Sequence, residues 1–500
     1  MVDMGIAGHL TGSDAAVLIG GITIGSMLFD LLYWSFSFLR TGTGGLTAQA
    51  YGKALALADG NSDSCPVRPS GAIPPTSWAS PSNTAEGGHA VRSHCSPGET
   101  SPLTECGSIL RRALRIALVS AVAMIALQWA ILRLAFVFVD CSPAVEELAS
   151  RYFRIRIWAA PATLSLFALK GWFIGMQNTR APMAADLTVN FVNIGASLLL
   201  AVALGIGFDG VAWGTVIAQW TGLVLSLAIV YFKYGPALRH PAHGEATSSV
   251  PDSSAPSFFR MNVDLFLRSL GMIAVYIGFT VISARYGDMM LAVSAVLMKL
   301  LMFFSYFTDG FAFAAEALTG RFIGENDRPM LQSSVRCNFL WSGALAVLFI
   351  GIYALAGLPA FRLLTSDAAV VGAAREFLPW LLLMPIVGCP AFVWDGVYIG
   401  ATASRDLRNS TLLCAVGFFA VYFIGIALAG AGVGAGVGAG VSAAVVASSG
   451  VASSGVSAAG ISNTMGIHIL MGAYFTHLLI RSVYLTARYR AAILGTPREA

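Results

Sequence analysis

Charge is scarce in this chain: 30 Lys and Arg and 26 Asp and Glu among 500 residues, 11% together. Soluble domains carry about 25%. With 56% hydrophobic residues and a mean hydropathy of +0.72, that scarcity excludes an ordinary soluble protein and implies a polytopic membrane protein. Ordered cysteine patterns are missing too. The seven cysteines include no CxxC pair and no spacing typical of a disulfide framework. Cys65, His89, His94, Cys95 and Cys106 fall in one polar stretch, but their irregular spacing argues against zinc. No His/Glu or Ser/Lys constellation falls at membrane depth, and His468 and His477, nine residues apart, do not share a helix face. No covalent chemistry, cofactor or metal is expected. The net charge of +4 follows from basic residues placed by topology and does not indicate a nucleic-acid partner. The opening residues show no pattern of a cleaved leader.

What is abundant is apolar sequence in lengths that cross a bilayer. Complete spans are expected at Val17–Leu46, Ala113–Val139, Glu146–Ile174, Pro182–Leu204 and Gly210–Phe232. After a polar connector they resume at Met261–Ser283, Met289–Thr319, Cys337–Gly357, Arg375–Thr402, Asn409–Ala429 and Met465–Ala487. Two segments interrupt this series. Residues 59–107 are rich in Ser, Pro and Gly and read as disordered; residues 430–463 are a Gly/Ala/Ser/Val tract read as a long loop. Basic residues collect in alternate loops: Lys53, Arg111 and Arg112, Arg180, Lys233, Arg321 and Arg328, Arg405 and Arg408, Arg488 and Arg490. By the positive-inside rule those loops are cytoplasmic.

The two halves repeat. Leu46-Thr47-x-x-x-Tyr51-Gly52 matches Leu318-Thr319-x-x-x-Ile323-Gly324 at an offset of 272, and Gly171-x-x-x-Gly175 matches Gly396-x-x-x-Gly400 at an offset of 225. The difference is about the length of the 59–107 stretch, which is therefore an insertion into a common plan. Both halves begin and end on the same side, as parallel repeats related by an axis along the membrane normal do. The expected fold is an all-α integral membrane protein of two six-helix lobes on a twelve-helix plan. The lobes are assigned to residues 1–233 and 258–490, with a cytoplasmic linker at 234–257. The repeat places the partner of the seventh span before Met1, so the first helix is expected to be truncated, through a misassigned start or a shortened chain.

Within Met289–Thr319 and its continuation, Asp309 and Glu316 stand seven residues apart, about 20° apart on a helix face. Two carboxylates on one face of a spanning helix must look onto a water-filled cavity or partners on other helices, which marks a translocation pathway. Arg40, in the last third of the first complete span, lies at a depth from which it could neutralise Glu316 in one conformation and release it in another. Asp395 lies deep in the tenth span and is read as a coupling or cation-binding residue, with a structural pairing to a neighbouring helix as the alternative. Asp186 and Asp264 are read as helix caps, Lys299 lacks an evident partner, and Tyr33, Trp34, Phe304, Tyr306 and Trp394 are read mostly as packing.

The stretches VDMGIAGHL, FLRTGTGGLTAQAYG, GWFIGMQNTRAPM, GVAWGTVIAQ, SYFTDGFAFAAEALTG and FVWDGVYIGATASRDLRNS occur in that order. Through them the chain resembles the multidrug and toxin extrusion family, in particular its DinF-like branch. The resemblance implies a secondary active antiporter. Such a protein exports small organic, often cationic, compounds in exchange for protons or sodium ions, as a monomer in the inner cell membrane. It also implies a coupling role for Asp3, with Asn193 as its partner on the fifth helix. Where many members carry a second acid four residues after that asparagine, this chain has Ser197, which favours protons over sodium. The rival expectation is a flippase of lipid-linked precursors in the same superfamily. It would need a more cationic cavity, whereas the deep charges read from the sequence are mostly acidic.

Overall fold

The computed structural model describes residues 15–60, 103–138, 142–235, 255–364, 368–437 and 462–495. Asp3 and the short first helix, the connector at 236–254 and most of both interrupting segments lie outside the described residues. The N-terminal half contains α1 (Ala15–Ser35), α2 (Phe38–Gly60), α3 (Thr104–Ala126), α4 (Gln128–Phe138), α5 (Pro143–Arg156), α6 (Ala160–Gly175), α7 (Arg180–Leu198) and α8 (Phe208–Ile229). The C-terminal half contains α9 (Ala255–Ala284), α10 (Asp288–Gly324), α11 (Arg328–Leu364), α12 (Ala368–Gly400), α13 (Ser404–Val437) and α14 (Asn463–Ala492). Among the described residues ten stretches are long and apolar enough to cross a membrane, and the pair α3–α4, bent by 64°, can supply an eleventh.

Two helix ends lie well beyond the sequence reading. The first complete span does not stop at Leu46: α1 and α2 form a rod interrupted only at residues 36–37, ending at Gly60. Hydropathy loses this end because Thr, Gly and Gln replace large apolar residues where α2 packs against α6 and α10. Helix α13 runs to Val437, into the Gly/Ala-rich tract that was expected to be a loop. Helix α12 keeps its course through Pro379, Pro385 and Pro390; membrane helices accept proline where neighbouring groups satisfy the freed carbonyls.

The repeat is visible in the packing itself. A Cβ added to Gly171 would run into the backbone carbonyl of Arg40, and one added to Gly396 would run into that of Ala312. Arg40 and Ala312 are related by the offset of 272, and Gly171 and Gly396 by 225. One turn on, Gly175 approaches the carbonyl of Gly44, and Gly400 approaches that of Glu316. The GxxxG pairs in GWFIG and GVYIG thus let α6 lie directly on α2, and α12 on α10, in the small-residue packing that membrane helices favour. Apolar clusters fill each half: Phe29, Phe153 and Leu164 in one, and Phe279, Phe304, Phe377 and Phe418 in the other. Large side chains such as Phe191, Leu340, Trp341 and Leu355 point outward, as a bilayer-facing surface requires.

Candidate functional site

The site is built on α10, whose unbroken helix carries Lys299, Met302, Tyr306, Asp309, Phe313, Glu316 and Gly320 within one arc of about 100°. Burial changes steadily along that arc. Gly320 packs against Ala48 of α2, Glu316 is 0% exposed, Asp309 and Phe313 are half-buried, Tyr306 is 70% exposed and Lys299 is exposed. The two halves are therefore closed together at the end carrying Lys53, Arg321 and Arg405, and they part toward the other end. The equivalent wall across the gap is α1, with Met27, Asp30 and Trp34 exposed. Trp34 packs edge-on against Tyr276 of α9, with ring centroids 5.7 Å apart.

At the floor, Arg40 of the N-terminal half donates from Nη1 to Glu316 Oε2 at 3.3 Å. The same guanidinium lies 4.6 Å over the Phe313 ring, which fixes its direction from the α10 side. The other carboxylate oxygen, Oε1, is buried without a hydrogen-bond partner in the described structure and rests against Gly44, where any side chain would displace it. The expected Arg40–Glu316 contact is thus present, and it joins the halves. Asp309, nearer the opening, makes no hydrogen bond or ion pair among the described residues.

Asp395 is held differently. Arg268 of α9 reaches its Oδ2 at 2.5 Å and Arg481 of α14 reaches its Oδ1 at 2.8 Å, with Arg481 also contacting Oδ2. Arg481 is 1% exposed, and its Nη1 lies 3.8 Å from the Met272 sulfur. A carboxylate clamped between two cations ties α9, α12 and α14 together. Of the two openings the sequence left for Asp395, the geometry displays the structural one. Asn193 donates to Thr215 Oγ1 at 3.0 Å, tying α7 to α8. Ser197 is buried and donates to the Val211 carbonyl.

Several expectations are corrected. Asp264 is not a helix cap: it lies well inside α9, accepts Arg408 at 2.5 Å and Ser404 at 3.0 Å, and is buried. Asp186 lies inside α7 and pairs with Lys170 of α6 instead of capping a helix. The deep charges are not mostly acidic. Arg268 and Arg481 join Arg40, giving three cations to set against Asp309, Glu316 and Asp395. In the N-terminal half Arg156 donates to Ser26 at 3.2 Å and to the Tyr152 hydroxyl at 3.3 Å. All three arginines lay inside expected spans, so the rule that singled out the acids would have found them. Asp30 was within reach of the same rule. Among the described residues no three His, Cys, Asp or Glu side chains are grouped to hold a metal ion.

The family model described as MatE matches residues 103–199 and 265–422. The chain is 33% identical over 418 residues to DNA damage-inducible protein F of Escherichia coli strain K12, covering 84% of this chain and 80% of that protein. Among solved structures it is similar to the bent form of the Vibrio cholerae MATE transporter VcmN, with TM-score 0.69 and 14% identity over 99% of this chain and 92% of that one. It is also similar to a MOP superfamily transporter from Pyrococcus furiosus, described as having a binding pocket of reverse polarity that suggests a different function. That match has TM-score 0.66 and 16% identity over 99% of this chain and 92% of that one. At these identities the structural matches speak to the fold.

Proposed function

Since this chain belongs to the MatE family of membrane transporters, we propose that it is a secondary antiporter of the inner cell membrane, acting as a monomer and exporting small organic cations in exchange for protons. The observation that carries this reading is the charged face of α10. Asp309 stands in an opening between the halves with no cation bound to it among the described residues, and Glu316 below it is tied to Arg40 of the other half. An incoming organic cation meets the free carboxylate first, flanked by the Tyr306 and Phe313 rings one turn to either side. Protonation of Glu316 would release Arg40 and weaken the tie between the halves, which links ion movement to the change of facing. Asn193 supports the α7–α8 wall and Asp395 the α9–α12–α14 wall. Asp3 joins this set through the family resemblance alone.

The test is transport of a fluorescent organic cation into or out of proteoliposomes under an imposed pH gradient or an imposed sodium gradient. Movement driven by the pH gradient alone, and lost in Asp309→Asn, is expected. Movement driven by sodium alone would overturn the choice of ion. The arginines give the flippase reading a foothold, because Arg156, Arg268 and Arg481 add positive charge at membrane depth, although Arg268 and Arg481 are held on Asp395 in this structure. No movement with either gradient, together with translocation of a lipid-linked pyrophosphate analogue, would favour it.

A further inference from the structure

The closed end of the molecule is fastened by a reciprocal set of contacts. A Cβ on Gly52 would overlap the carbonyl of Arg321, and a Cβ on Gly324 would overlap that of Gln49. Under the repeat offset of 272, Gly52 becomes Gly324 and Gln49 becomes Arg321. The two contacts are thus one contact made twice about a local two-fold axis. Above this backbone seam the side chains of Gln49 and Arg321 cross over. Gln49 Nε2 donates to the Gly400 carbonyl at 2.9 Å and to Thr402 Oγ1 at 3.2 Å. Arg321 Nη1 donates to Gln177 Oε1 at 3.3 Å.

The targets are equivalent as well. Gln177 and Thr402 are related by the offset of 225, and they close the α6–α7 and α12–α13 turns. Both adopt left-handed backbone, with φ of 56° and 53°. Only three non-glycine residues among those described do so, and a side chain in that region is held there by its surroundings. Each half therefore reaches across to the strained turn of the other. At the opposite end the equivalent side chains Tyr306 and Trp34 are both exposed, and Trp34 keeps only an edge-on contact with Tyr276 of the other half.

We propose that Gln49 and Arg321 are the two bolts of a latch that keeps this end shut, with the left-handed residues Thr402 and Gln177 as their keepers. The latch sets the balance between the two facings of the transporter. It rests on the reading of the chain as an alternating-access carrier. Its contacts are polar and few, so they can open without unpacking either half. Each net hydrogen bond shifts such a balance by up to about tenfold. Arg321 is anchored by Glu325, the residue just past the end of its helix, at 2.6 Å, so the bolt is aimed in advance.

The experiment is a double electron–electron resonance distance measurement between spin labels at Arg180→Cys and Arg405→Cys, in full-length protein whose native cysteines are replaced. These two positions are exposed, equivalent in the repeat, and next to the two turns. Without substrate or gradient, the parent is expected to show one short distance. Gln49→Ala and Arg321→Ala are each expected to raise a longer-distance population about tenfold, and together about a hundredfold. Gln49→Asn and Arg321→Lys should recover part of the short population. Unchanged distances in the double variant, with helicity and monodispersity intact, would overturn the latch. Because no transport enters this measurement, failure of the latch is distinct from failure of the antiporter reading, which gradient-driven transport by the parent decides separately.

Discussion

Removing Arg40 should cost about 1 kcal/mol more than removing Glu316 and Arg40 together. At 3.3 Å, and with an effective dielectric constant of about 20, the attraction between the two charges is about 5 kcal/mol. Glu316 is 0% exposed and loses its hydration entirely, while Arg40 is 23% exposed and keeps part of its own. Desolvation and that residual water take back more than half, leaving a net coupling of about 2 kcal/mol. In Arg40→Met the carboxylate stays buried with neither oxygen partnered, so a loss of about 3 kcal/mol is expected, at the lower end for a broken buried pair. Glu316→Leu leaves a guanidinium that still lies over Phe313 and still meets water, and should cost about 1 kcal/mol. The double variant should fall within about 2 kcal/mol of the parent. A double-mutant cycle on reversible unfolding in mixed micelles measures this directly. A coupling below about 0.5 kcal/mol, the range of exposed pairs, would refute the claim that this contact is buried and joins the halves.

Other perturbations separate architecture from transport. Arg481→Met strands Asp395 beside Arg268 alone and should lower stability by about 3 kcal/mol, seen as loss of folded protein on size exclusion after mild heating. Asp309→Asn should abolish cation transport with stability within about 0.5 kcal/mol of the parent, since the carboxylate has no described partner to lose. Gly171→Ala and Gly396→Ala should each cost about 1–3 kcal/mol because the new methyl meets a backbone carbonyl, measured by thermal melting. Gly195→Ala and Gly343→Ala, which meet nothing within 4 Å, should leave stability unchanged or raise it by up to about 1 kcal/mol in the same assay.

The helices and the repeat were legible because the bilayer demands long apolar runs and because the close approaches at Gly171, Gly175, Gly396 and Gly400 admit nothing larger. The pairing of Arg40 with Glu316 was legible for a related reason: both are charged at one depth on helices that the repeat sets side by side. The far ends of α2 and α13 were not, since glycine and alanine pack helices together without raising hydropathy. The fate of Asp395 was hidden because its partners, Arg268 and Arg481, lie 127 and 86 residues away, and only tertiary packing brings them to it. Asp264 looked like a cap only because the start of α9 could not be placed from the polar connector.

The carboxylate of Glu316 rests against Gly44, and Gly44 is the residue that the repeat sets equivalent to Glu316 itself. On the local axis there is room for one such side chain, never two. A symmetric pair of identical halves would put two carboxylates into the same space, so it could carry this acid on neither copy. Joining the halves in one chain removes that restriction. The single carboxylate on this axis is thus something only a fused, unequal duplicate can hold, and duplication without divergence would leave the floor of the cleft empty of it.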